Sequence, residues 1–313
     1  MYPLILLIGI PSEPPLQMVR QAVAELGARC VVFNQRHFDR YDMELEIRRG
    51  FLTGTLTLEH DEIALGEITG AYARPMDDNQ LPELCGEPAH SARRQRCRSL
   101  HELLLRWLDI APGVILNRPT AMASNSSKPY QSSLIQAYGF LIPETLITND
   151  PAEVLRFHDK HHRIVFKSIS GARSIVTEFG REHVARIDLI RQLPTQFQQR
   201  VDGFDVRVHV IGEKLYAARA LSSATDYRYS ARQGGSTRIE AFALPSHWEE
   251  RCIALSRGLG MDFTGIDLKV TPEGKVYCFE VNPCPAYSFY EEQTGQPIAR
   301  AVGEHLVAGE PGN

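Results

Sequence analysis

The stretch Gly265 to Pro283, GIDLKVTPEGKVYCFEVNP, decides how the rest of the 313-residue chain is read. Residues 265–270 and 276–281 alternate between apolar and polar, and Pro272-Glu273-Gly274-Lys275 has turn composition, so the spacing predicts a β-hairpin. Ile266, Leu268, Val270, Tyr277, Phe279 and Val281 fall on one face, which suits a core. Gly265, Asp267, Lys269, Cys278, Glu280 and Asn282 fall on the other. A two-residue loop at Glu273-Gly274 would set Asp267 opposite Glu280, and an odd loop length would shift that register. Like charges opposed on a sheet repel. A hard divalent cation would turn the repulsion into a site, because Mg²⁺ prefers carboxylate and carbonyl oxygens. A solvated polar face with Lys269 as counter-charge is the other reading of the same pattern.

Bulk properties bound the alternatives. Hydrophobic residues make up 43% and charged residues 23%, as in ordinary globular proteins that bury a sizeable core. With 34 Lys and Arg against 38 Asp and Glu, the formal charge is −4, which argues against general polyanion binding. No nucleic-acid partner is expected. The six cysteines form no CxxC pair and no zinc-type spacing with His, so reduced thiols in a cytoplasmic protein are expected. The apolar opening MYPLILLIGIP lacks a basic flank and is too short to span a bilayer. It predicts a buried first strand and no membrane partner.

Leu4–Ile10, the helical face of Leu16, Val19, Val23 and Leu26, and the strand Cys30–Phe33 make a β-α-β opening that predicts an α/β lobe. A hairpin over Phe51–Leu58, a strand over Ile68–Arg74 and a long helix over Ala92–Leu108 follow. That helix begins with Arg93, Arg94, Arg96 and Arg98, which could hold a phosphate or an acidic peptide but more simply form a solvated face. A boundary falls near Pro112–Pro119. Beyond it come a helix from Pro129 to Gly139, a short helix over Pro151–Asp159, the strand Arg163–Ser168, a loop at Ser170–Ser174, a helix around Glu182–Gln192, and a strand over Thr195–Gln198. A hairpin over Asp205–Ala220, a loop over Ser222–Ser236, a helix over Trp248–Leu259 and a last helix from Ile298 complete the pattern.

Lys167 ends an apolar strand and meets a small-residue loop, where a cation beside backbone N–H groups can grip phosphate oxygens. Arg207 and Arg228 suit a phosphoryl or carboxylate group because the guanidinium donates in pairs. Taken in order, these features resemble the ATP-grasp superfamily, in its ribosomal-protein glutamate-ligase-like branch, over about residues 117–308. The matching text is Asn125-Ser126-Ser127-Lys128, Gly139 to Thr145, Val165-Phe166-Lys167, Gln196-Phe197-Gln198, Gly203 to Arg207, Asp226-Tyr227-Arg228, Gly265 to Leu268 and Phe279 to Pro283. The opening lobe and Tyr72-Ala73-Arg74-Pro75 also look like ATP-grasp enzymes that modify ribosomal peptides, the microviridin or graspetide class.

The resemblance implies an ATP-grasp fold of α/β class, α+β in its catalytic part. It implies an N-terminal lobe over 1–116, a lid lobe over 117–198 and a catalytic lobe over 199–313. ATP would lie between two antiparallel sheets. Lys128 and Lys167 would contact its phosphates, and Gln198, Gln199, Arg200 and Val201 would face adenine. Asp205 would lie near the ribose and Asp226 would help to bind the nucleotide. Asp267, Glu280 and Asn282 would hold Mg²⁺ or Mn²⁺, and Arg207 and Arg228 would face the reacting groups. The family usually has Glu at the position of Gln199 and an aromatic or aliphatic residue at that of Arg200, which bears on nucleotide choice. The activity implied is carboxylate–amine or carboxylate–alcohol ligation through an acyl phosphate, with a small-molecule or peptide carboxylate as partner and homo-oligomerisation left open. An ATP-grasp kinase and an inert nucleotide- or peptide-binding module are the alternatives.

Overall fold

The computed structural model describes residues 2–49, 51–169, 176–222 and 237–309. The chain opens with β1 (Leu4–Gly9), α1 (Pro14–Glu25), β2 (Arg29–Asn34), β3 (Tyr41–Arg48), β4 (Phe51–Leu58), β5 (Asp61–Ala64), β6 (Ile68–Ala73), α2 (Ala92–Ile110) and β7 (Val114–Leu116). The parallel sheet runs β2-β1-β6-β7, and β3-β4-β5 form a separate antiparallel sheet. Every residue of β1 is buried, as a strand covered on both faces requires. Leu4, Leu6 and Ile8 pack with Leu104, Trp107 and Leu108 of α2. Ile5 and Leu7 pack with Leu16, Val19 and Val23 of α1.

β3 is absent from the sequence reading, although Tyr41, Met43, Leu45 and Ile47 alternate with Asp42, Glu44 and Glu46. Its three acids mask the period. The arginine run of α2 is largely the solvated face expected, with Arg93, Arg96 and Arg98 partly exposed and only Arg94 buried, but each is ion-paired. Arg93 pairs with Asp39 at 2.7 Å, Arg96 with Asp42 at 3.1 Å, and Arg94 and Arg98 both with Asp78, at 2.9 and 3.0 Å. Arg94 is buried and also donates to the carbonyls of Leu84 and Asp78. Burial would raise the Asp78 pKa, but the hydrogen bonds from Arg94 and Arg98 outweigh it and hold the carboxyl below its ordinary value. Arg94→Ala removes the buried partner that ties the 77–91 loop to α2. It is expected to cost about 3 kcal/mol, read as a lowered denaturation midpoint with an unchanged slope.

The middle of the chain forms α3 (Pro119–Met122), α4 (Lys128–Ala137), β8 (Thr145–Thr148), α5 (Pro151–His161), β9 (Ile164–Ser168), β10 (Thr177–Glu178), α6 (Arg181–Val184) and β11 (Thr195–Gln199). The sheet order is β10-β9-β11-β8, around a small core of Val154, Ile164, Phe179 and Phe197. The helix expected over 182–192 is the short α6 followed by a 3₁₀ turn over Ile187–Gln192.

The last part forms β12 (Phe204–Ile211), β13 (Lys214–Ser222), β14 (Thr237–Ala241), α7 (Ser246–Gly258), β15 (Phe263–Val270), β16 (Val276–Asn282), α8 (Ser288–Thr294) and α9 (Ile298–Ala308). The antiparallel sheet runs β14-β13-β12-β15-β16. Val206, Val208 and Val210 of β12 face Cys252 and Leu255 of α7, which leaves Asp205, Arg207 and His209 on the opposite face. Ile135 and Phe140 join this core, so α4 packs on the five-stranded sheet. α9 crosses back to the first lobe, where Val302 and Leu306 pack with Ile5, Leu7 and Val19.

Two irregularities in the β15–β16 hairpin offset each other. Val270 pairs with Val276 and Lys269 with Tyr277, a register one residue away from that of a two-residue loop. A bulge at Phe279 then restores the step, so Asp267 lies opposite Glu280 and Gly265 opposite Asn282. The face assignment changes between loop and bulge. Cys278 is in the core, whereas Phe279 is turned to the cleft beside Glu280.

Candidate active site

A cleft of about 810 Å³ separates the sheet of β8–β11 from that of β12–β16. Lys128, Lys167, Gln198, Gln199, Arg200 and Val201 line it, as do Asp205, Asp267 and Glu280. Arg207 and Asn282 do not line the cleft. Both lie behind Asp267: Arg207 pairs with Asp267 Oδ1 at 2.6 Å, and Asn282 Nδ2 donates to Asp267 Oδ2 at 3.3 Å. Asp226 and Arg228, and the loop at 170–174 with Arg173, lie outside the described residues.

The strand register builds the floor. Arg207, Asp267 and Glu280 are successive cross-strand partners on β12, β15 and β16. One step along, Asp205 partners Lys269, and their side chains pair at 3.1 Å. Lys128 reaches the floor from the first turn of α4. Its Nζ pairs with Glu280 Oε1 and donates to Asn125 Oδ1 at 3.0 Å. Gln131, one turn further on, fixes this approach: its amide donates to Val281 O at 2.8 Å and accepts from Val281 N at 3.1 Å. Gln131 is buried and clamps α4 to β16.

Arg207 is nearly buried. Its guanidinium lies 5.9 Å from the Tyr290 ring centroid, and its Nε donates toward His209 Nε2 at 3.5 Å. Burial and then the Arg207 charge push the His209 pKa well below its ordinary value, so the imidazole is a neutral acceptor. Gly265 makes room, since a Cβ there would stand 2.6 Å from both the Arg207 Cζ and the Pro285 Cβ. Pro285 is itself tied to the first lobe, where Arg74 donates to its carbonyl at 2.9 Å and is held by Glu13 at 2.6 Å. Burial pushes the Cys278 thiol well up, which removes it as a nucleophile.

At the far wall the end of β11 and the segment after it are held in place. The Gln199 backbone N–H donates to Glu144 O at 2.8 Å, and Gln198 Nε2 donates to Thr145 Oγ1 at 2.9 Å. Arg200 is paired with Glu178 and with Asp202. Gln131, His209, Tyr290 and Asn125 are absent from the sequence-level site. Their hydrogen bonds span 2 to 150 positions, and Asn125 and Gln131, each three residues from Lys128, carry a local signal.

Two facing sheets with a charged cleft between them define an ATP-grasp fold. The sequence matches the RimK-like ATP-grasp domain over residues 129–306, and the chain belongs to that family. A probable alpha-L-glutamate ligase of Pasteurella multocida is 25% identical over 201 residues, 61% of this chain and 63% of the relative. The chain thus spans less than two thirds of the length of that relative. Among solved structures, the Chryseobacterium gregarium RiPP-associated ATP-grasp ligase, in complex with ADP and a leader and core peptide, superposes with a TM-score of 0.81 at 20% identity. It covers 99% of this chain and 98% of its own. The ATP-grasp ligase PsnB, complexed with a variant minimal precursor, Mg and ADP, gives 0.78 at 23% identity over 97% of this chain and 98% of its own. No helix among the described residues is long and apolar enough to cross a membrane.

Proposed function

We propose that the protein is an ATP-dependent ligase that joins a carboxylate to an amine or alcohol through an acyl phosphate. The observation that carries this reading is the pair Asp267 and Glu280, opposite each other at the floor of a cleft into which Lys128 and Lys167 also reach, with Arg207 behind Asp267. The three-lobe division at residues 116 and 198 is kept as part of the proposal, with α4 of the middle segment serving the third lobe. ATP would enter between the sheets, with its base against Gln198 to Val201 and its ribose near Asp205. The carboxylate substrate attacks the γ-phosphorus, the bond to the β,γ-bridging oxygen breaks and ADP leaves. The nucleophile then displaces phosphate from the acyl carbon. Phosphorylation supplies the leaving group that a bare carboxylate lacks.

Asp267 and Glu280 offer carboxylate oxygen to the cleft and fit a hard divalent ion, to which Asn282, beside Asp267, would add its amide oxygen, and Mg²⁺ shares its shell with nucleotide phosphates. Bound there, Mg²⁺ or Mn²⁺ would neutralise phosphate charge. Lys128 and Lys167 would bind the phosphates, and Arg207 would orient Asp267. Asp226 and Arg228, outside the described residues, keep the roles that the resemblance implies. A peptide carboxylate is the favoured partner, because the two structural neighbours carry precursor or core peptides. A cytoplasmic location is part of the same reading. The test is a screen of small acids and peptides for ADP release with hydroxylamine present, which traps acyl phosphates as hydroxamates. ADP release with a phosphorylated alcohol and no hydroxamate would mean a kinase.

Lys167 sits in β9 opposite Gln196 and faces the cleft. A charged phosphate contact contributes on the order of 1.5–3 kcal/mol, so Lys167→Ala should weaken ATP binding roughly ten- to a hundredfold without moving the melting temperature. Calorimetric titration with unchanged affinity would remove Lys167 from the site.

A further inference from the structure

The two carboxylates that face each other across β15 and β16 are each neutralised from within the chain, and the two pairs are built differently. Asp267 receives Arg207, whose side chain is 8% exposed and is held by His209 and the Tyr290 ring. That guanidinium is fixed. Glu280 receives Lys128, whose side chain is 31% exposed and whose ammonium sits on a flexible stem. Lys128 is also the first residue of α4, just after the Ser127 cap. A helix N-terminus favours anions, so a cation there gains nothing from the helix. The Glu280 carboxylate does, and so would a phosphate.

We propose that Lys128 is an exchangeable internal counter-ion. In the nucleotide-free protein it neutralises Glu280 and suppresses the repulsion from Asp267. When a metal–nucleotide complex enters, the phosphates draw the ammonium away and release the Glu280 oxygens to the metal. A free divalent ion must displace the same ammonium with no anion to receive it. Lys128 therefore makes the site select the metal–nucleotide complex over the free metal. Arg207, being fixed, stays on Asp267 Oδ1, and the Oδ2 atom keeps only a long hydrogen bond from Asn282 at 3.3 Å. This inference rests on the metal assignment proposed above.

The test is Mn²⁺ titration of the full chain followed by electron paramagnetic resonance, with and without a non-hydrolysable ATP analogue. The parent is compared with Lys128→Met and Lys128→Gln, which keep most of the stem and remove the charge. Without nucleotide, both variants are expected to bind Mn²⁺ roughly fivefold more tightly than the parent, the scale of losing one partly exposed competing ion pair. With the analogue, both should bind Mn²⁺ roughly tenfold more weakly, because a phosphate contact is gone. Suppose the parent binds Mn²⁺ with the analogue while neither variant gains affinity for the free metal. The counter-ion role is then overturned and the metal site stands. A parent that binds no Mn²⁺ even with the analogue overturns the metal assignment and this inference together.

Discussion

Glu280→Gln is expected to abolish most Mg²⁺-dependent ADP release, by on the order of a hundredfold or more, while the protein melts as the parent does. The substitution keeps the shape of the side chain and removes one charge from the floor of the cleft. Two effects on stability oppose each other. The ion pair with Lys128 is lost, and so is the repulsion from Asp267, directly opposite on β15. Each contributes less than about 1 kcal/mol at a partly exposed site, so the net change is small. The activity effect has no such compensation, because the amide oxygen is a weaker ligand for a hard divalent ion and leaves the phosphate charge less well neutralised. The measurement is a pair: melting temperature without nucleotide, and ADP release with a competent acceptor. A variant that melts normally and turns over like the parent would sink the metal assignment.

Gly265→Ala should be as damaging by another route. The residue is buried between the Arg207 guanidinium and the ring of Pro285. The added methyl would stand 2.6 Å from a carbon of each, and neither neighbour has room to yield. Arg207 is pinned by Asp267, His209 and Tyr290, and Pro285 by Arg74. Overpacking of this kind costs about 1–3 kcal/mol. A displacement of about 1 Å at a positioning group can cost on the order of a hundredfold in rate. The expected result is a lowered melting temperature and a fall in turnover with ATP affinity held within a few-fold, because the cleft wall that meets the nucleotide is untouched. Normal turnover in Gly265→Ala would mean that Arg207 has no part in catalysis.

Much of this was legible in the sequence, for specific reasons. β1, β12 and the β15–β16 hairpin announce themselves because their alternation or continuous apolarity follows directly from which faces are covered. Asp267 opposite Glu280 is the instructive case. The expected pairing holds, but by two irregularities rather than by an ideal turn, and nothing in the local sequence marks Phe279 as a bulge. That is why Cys278 and Phe279 exchange faces relative to the simple alternation. The ion pairs of the α2 arginines were not legible for a related reason. Their partners, Asp39, Asp42 and Asp78, come from elements whose positions the helix pattern does not contain. The position of Arg207 behind Asp267 is likewise a matter of register and of a glycine on the neighbouring strand β15, which spacing alone cannot supply.

The return of α9 to the first lobe has a consequence for how the molecule is made. Ile5, Leu7 and Val19 leave the ribosome long before Val302 and Leu306, which cover them. The parallel sheet must therefore wait with that apolar face covered by α1 alone until α9 has been synthesised. Domains that close early are shielded from aggregation, and one that waits for a distant helix stays partly exposed until that helix arrives. A slow stretch of translation between α8 and α9 would lengthen that exposure. The first lobe, not the lobe that carries the cleft, is where a holdase would be needed most.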